Sequence, residues 1–151
     1  MQLKIRDDVK TVIFDTMLKY GLGSVTVEFD GGGDSGNVDG IDNIEGIISF
    51  DQFNAEAIDV EVVTDNGQSW DGKQWVAHTM KETKNNLTEL FEWGAWQVLE
   101  DFPFDWVNND GGYGTLTFTK TADSNFVTCE YSQRVTTTVD HTLSSLEEPN
   151  G

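Results

Sequence analysis

The chain has 151 residues, 27 acidic against 9 basic, a formal charge of −18, five Trp and nine Phe. That length suits one domain able to bury its own core, and the apolar and aromatic content is too high for a disordered acidic tail. Phosphate neutralisation needs clustered Lys and Arg, so direct binding of nucleic acid is disfavoured, as is an anionic membrane surface. The single cysteine, Cys129, excludes an intrachain disulfide and a Cys-rich zinc site. The first residues lack the apolar centre of a signal peptide, and no apolar run reaches the ~18 residues of a spanning helix. The expected location is the cytoplasm.

Val9, Val12, Ile13, Met17 and Tyr20 recur at helical spacing, predicting a helix over 6–20 stopped by Gly21. Val25, Val27 and Phe29 alternate with Thr26 and Glu28, the period of a half-buried strand. Asp30-Gly31-Gly32-Gly33-Asp34-Ser35-Gly36 then breaks regular structure, and Ile41, Ile44, Ile47, Ile48 and Phe50 suggest a second strand. Ile58, Val60 and Val62 predict a third strand, closed by a turn at Asp65-Asn66-Gly67. Residues 74–81 read as a strand. A helix begins at Leu87, with Asn86 as N-cap, Glu89 supporting it, and Gly94 implying close packing in mid-helix; it ends before Pro103.

A second glycine–aspartate loop, Asn108-Asn109-Asp110-Gly111-Gly112-Tyr113-Gly114, leads into a strand through Leu116 and Phe118. A turn at 121–125 returns a long strand over 126–139. Val127, Cys129, Tyr131, Val135, Thr137 and Val139 share one face of it; Glu130, Ser132, Arg134, Thr136 and Thr138 share the other. The expected architecture is a single α+β domain over 1–143: an antiparallel sheet of about five to six strands with two helices packed on one face. Residues 144–151 read as a flexible acidic tail.

Two loops carry the candidate chemistry. Asp30, Asp34, Ser35 and Asp39 in the first, and Asn109, Asp110 and Tyr113 in the second, are candidate ligand or partner contacts, with Arg134 as an anion-holding group. The competing readings are ordinary turn-forming Asp and Gly, and an Arg134–Glu130 surface pair. Antiparallel neighbouring strands would put both loops at one end, framing a shared cleft. Asp30, Asp34 and Asp110 could supply hard oxygens to Ca²⁺ or Mg²⁺, although the spacing is not that of an EF-hand and no cofactor is demanded. His78 and His141 lack HExxH spacing, no GxSxG elbow exists, and Cys129 falls on an apolar face. Trp93 and Trp96 flank the apolar stripe of the second helix, as core, rim or partner anchor.

The segments Phe29–Gly36 and Trp106–Gly114, with the helix Leu87–Leu99 between them and Tyr131, Arg134 and Val135 after them, resemble a family of small acidic bacterial and phage proteins known as a domain of unknown function. The resemblance runs from Gly21 to Leu143 and is least specific over 50–84. It brings no activity, but implies a phage or mobile-element setting in which small acidic proteins block host machinery. Three functions follow as expectations: a non-enzymatic inhibitor that engages a basic, nucleic-acid-binding surface of a host protein; a small-ligand or divalent-ion binder using the two loops; and a metal-dependent hydrolase.

Overall fold

In a computed structural model, the described residues are 3–33, 35–100, 102–107, 110–134 and 139–146. Helix α1 (Asp7–Tyr20) places Val9, Ile13, Phe14, Thr16 and Met17 on its buried side, and Gly21 caps it by donating its N–H to Leu18 O. Strands β1 (Leu22–Gly32) and β2 (Ser35–Gly46) form a tight hairpin. A short helix α2 (Phe50–Ala55) follows, then β3 (Ala57–Trp70) and β4 (Trp75–Asn86), then helix α3 (Leu87–Glu100). The chain closes with β5 (Gly112–Lys120), β6 (Asn125–Gln133) and β7 (Val139–Ser144).

Five strands make one antiparallel sheet in the order β2-β1-β5-β6-β7, while β3 and β4 form a separate two-stranded ribbon. Strand alternation sends Val25, Val27, Phe29, Leu116, Phe118, Val127, Cys129 and Tyr131 to the inner face, where α1 and α3 cover them. The α+β class and the placement of both long helices on one face agree with the sequence reading. Asn86 Oδ1 accepts from Glu89 N at 2.8 Å, the predicted cap. At Gly94 an added Cβ would lie 2.8 Å from Ile13 Cδ1 and 3.3 Å from Phe118 Cζ, so α3 approaches both α1 and the sheet closely there.

Several predicted boundaries move. The stretch 47–50 is not strand: Ser49 and Gln52 form a reciprocal capping box, and the additional helix it starts, α2, buries Phe53 against Phe91. The sequence Asp65-Asn66-Gly67 is a bulge inside a continuing strand, and the ribbon turns at Asp71–Gln74, where Asp71 Oδ1 accepts the N–H groups of Lys73 and Gln74. The predicted long strand over 126–139 is two strands: β6 ends at Gln133, and β7 returns antiparallel to it. Val135, Thr136, Thr137 and Thr138 lie outside the described residues. Ser144 pairs with Thr128, and Ser145 N donates to Val127 O, so the domain extends past the expected start of the tail at Ser144. No helix among the described residues is long and apolar enough to cross a membrane.

Candidate functional site: the open face of the sheet

Among the described residues, no element covers the face of the sheet opposite the helices. Register places Ser24, Thr26, Glu28 and Asp30 of β1 beside Thr119, Thr117, Thr115 and Tyr113 of β5, and these beside Phe126, Thr128, Glu130 and Ser132 of β6. The centre is a threonine stripe in which the Thr26 and Thr117 hydroxyls meet at 2.9 Å. Around it stand Glu28, Asp30, Asp39, Asp42, Glu45, Glu130 and Asp140.

Two irregularities in β2 concentrate that charge. Thr26 pairs with Asn43 and Val27 with Ile41, leaving Asp42 unpaired; Glu28 pairs with Gly40 and Phe29 with Val38, leaving Asp39 unpaired. Each is the extra residue of a β-bulge, a device that re-aims a side chain. Both aspartates act on Glu28: burial first, then Asp42 and Asp39, push the Glu28 carboxyl above its ordinary value. Local crowding of like charge is thus built into the strand.

The two glycine–aspartate loops meet at one end of this face, because Asp30 is in register with Tyr113 and Gly31 with Gly112. Arg134 joins them. Its Nη1 and Nη2 donate to the two oxygens of Asp30 at 2.9 and 3.1 Å, and Nη1 also donates to Gly31 O at 3.0 Å. Its guanidinium lies 4.8 Å from the centre of the Tyr113 ring, and its backbone N donates to Gly111 O at 2.9 Å. This is the planar fork on a carboxylate that arginine suits better than lysine. The hydrogen bonds it donates to Asp30 hold the guanidinium above its ordinary pKa. The expected Arg134–Glu130 pair is therefore replaced by Arg134–Asp30.

Beside the fork is a shallow depression of about 420 Å³ lined by Glu28, Phe29, Asp30, Asp39, Tyr113, Gly114, Thr115, Glu130 and Ser132. Of the candidate residues, Asp30, Asp39, Tyr113 and Arg134 come together there. Ser35 instead pairs with Gly32 at the hairpin end, and Asp110 occupies an exposed turn. Asp34 and Asn109 lie outside the described residues. Of the possible metal ligands, Asp30 has both carboxylate oxygens engaged by Arg134, and no group of three or more His, Cys, Asp or Glu able to hold an ion occurs among the described residues.

The sequence reading missed Glu28 as a site residue, and with it Glu130 and Asp140. Counting back by two from Asp30 along β1 reaches Glu28, so the signal was present in the alternation.

The cysteine and both histidines lie away from this depression. Cys129 is fully buried and its thiol is pushed up to about 12, mainly by burial. His78 pairs with Ser69 on the ribbon, and the His141 ring lies 4.3 Å from that of Phe104.

Fold and surface thus define a small α+β domain with one sheet face sheathed by helices and the other left open and acidic. Residues 5–144 match the family of unknown function DUF6878, and the chain belongs to that family. No curated protein and no solved structure matches it.

Proposed function

We propose that this protein acts by binding, presenting the open sheet face to a basic surface of a partner protein, and that the surface it occupies is one that otherwise binds nucleic acid. The observation that carries this reading is the one-sided placement of Glu28, Asp39, Asp42, Glu45, Glu130 and Asp140 around a face whose guanidinium, Arg134, is already neutralised by Asp30. Along a strand, residues on one face recur every ~6.7 Å, and neighbouring strands lie ~4.8 Å apart. Carboxylates on such a lattice reach a charge density of the same order as the phosphates of one DNA strand, one per ~3.4 Å of axis. A basic groove that neutralises phosphates would gain the same favourable electrostatics here, with steering that weakens as salt rises. The resemblance to phage proteins makes a cytoplasmic host protein the partner to seek, with inhibition as the outcome.

The test is capture of binding partners from bacterial lysate by the tagged chain, followed by elution with duplex DNA or RNA. Retention of a nucleic-acid-binding protein, its release by the competitor, and its loss with the Glu28→Lys/Glu130→Lys double variant are the expected results. Equal retention by that variant, or release by salt but not by nucleic acid at matched ionic strength, refutes the reading.

A further inference from the structure

Helix α3 carries a second constellation on the flank turned away from the open sheet face. Glu89, the adjacent pair Glu92 and Trp93, then Trp96 and Glu100 are linked by steps of three and four residues, so they form one ridge. The base of the ribbon faces this ridge with Thr64, Glu82 and Lys84, and the two enclose a cleft of about 360 Å³.

The chemistry of the cleft is one-sided. Glu82, Glu89, Glu92 and Glu100 line it, and its cation, Lys84, is ion-paired to Glu82 at 3.1 Å. Trp93 is buried, its Nε1 donating to Val63 O at 3.2 Å, whereas Trp96 is 38% exposed. Gln97 also lines the cleft. It is only 6% exposed, and its buried Oε1 has no hydrogen-bond partner among the described residues. A buried carbonyl without a donor is costly and calls for an explanation. Burial raises the Glu92 carboxyl above its ordinary value, Glu89 adds to the rise, and Lys84 opposes it. Acceptors, negative charge and an indole are assembled, and donors are scarce.

We infer that this cleft binds an organic cation, an alkylammonium or guanidinium group seated against Trp96, with Glu89 and Glu92 balancing its charge and Gln97 accepting one of its N–H groups. An indole face favours such a cation. A bare metal ion is a poorer occupant: hard cations need several converging oxygens, and the described residues contain no cluster able to hold one. Two sources offer the same chemistry, a free polyamine and a Lys or Arg side chain of a bound protein.

The test is an NMR titration of the whole chain with n-propylguanidinium and n-butylammonium, each against sodium at equal ionic strength. Saturable shifts of the Trp96 indole N–H and the Gln97 side-chain amide are expected. Glu89→Gln/Glu92→Gln should weaken binding by roughly tenfold or more, since both neighbouring charges are removed. Glu130→Gln, on the open sheet face, should leave it unchanged. Shifts no larger than those caused by sodium, or an equal loss in Glu130→Gln, overturn the inference. Spermidine and a short acetyl-Gly-Arg-Gly-amide peptide then separate the sources: the tighter of the two identifies which the cleft is built for, and failure of both to bind at Trp96 also overturns it. Neither result depends on the role proposed for the sheet face.

Discussion

The junction of the two glycine–aspartate loops can be probed by adding one carbon atom. Gly111 has φ +67°, and a Cβ there would lie 2.0 Å from Gly31 O, the same oxygen that accepts from Arg134. Gly33, at the hairpin turn, has a similar φ of +61° but nothing within 4 Å of an added Cβ. Gly33→Ala therefore measures the left-handed backbone cost alone, about 1–2 kcal/mol. Gly111→Ala adds an overpacking cost of about 1–3 kcal/mol, because the obstacle is backbone and cannot rotate away. The expected losses are about 1.5 kcal/mol for Gly33→Ala and about 3.5 kcal/mol for Gly111→Ala. For a chain of this size they correspond to falls in Tm of about 4 and about 10 °C. Urea unfolding followed by tryptophan fluorescence gives both numbers, provided the dependence on urea keeps the same slope. Equal losses in the two variants would refute the close approach of the loops, as would a Gly111→Ala variant as stable as the parent.

Three other measurements bear on the same framework. Because the raised Glu28 carboxyl binds its proton more tightly in the folded state, its contribution to stability falls as pH rises from its unfolded to its folded pKa. Glu28→Gln should accordingly raise Tm at pH 7, with the advantage shrinking once pH drops below the folded pKa; a Tm difference independent of pH would argue against crowding by Asp39 and Asp42. Cys129, buried with its thiol at about 12, should resist a chromogenic disulfide reagent in the folded protein and react fully in denaturant; prompt reaction without denaturant would contradict that burial. Asn86→Ala removes the acceptor for Glu89 N and should cost about 1 kcal/mol in urea unfolding, against Asn86→Asp, which retains a capping oxygen and should cost less.

Helices were the most legible elements because their signals are local. Periodicity and caps placed α1 and α3 almost to the residue, and the Ser49–Gln52 capping box that starts α2 was equally local but was hidden by a run of isoleucines that suggested strand. The glycine-rich segments were harder, since glycine has more than one use. At Gly31 and Gly36 it permits contact with Trp106, whose atoms would lie 2.4 and 2.5 Å from an added Cβ, so both residues sit inside strands rather than in a wide loop. At Asp65-Asn66-Gly67 a turn-like triplet serves as a bulge, because the ladder resumes at Gln68. Alternation alone assigned Glu130, Ser132 and Arg134 to one face. It could not choose Asp30 over Glu130 as the partner of Arg134, because that choice depends on β5 lying between β1 and β6. The acidic face was likewise half visible: parity marks its members along β1 and β6, but the bulges at Asp39 and Asp42 break parity in β2, and only the strand order brings β2, β1 and β6 onto one surface.

The pairing of β1 with β5 also sets the order in which the protein can be completed. Val25 meets Phe118, so the central ladder of the sheet joins segments on either side of the entire ribbon and α3. During synthesis β1 and β2 can form their hairpin early, and α1 and α3 can gather against its apolar side. The inner edge of β1 nevertheless remains unpaired until β5 is made. At about 5–20 residues per second that wait lasts several seconds or more, during which an open strand edge is available to other chains. Glu28 and Asp30 lie on that strand, with Asp39 and Asp42 behind them on β2, and repulsion between these like charges on nascent copies would discourage pairing of the wrong edges before the last three strands arrive.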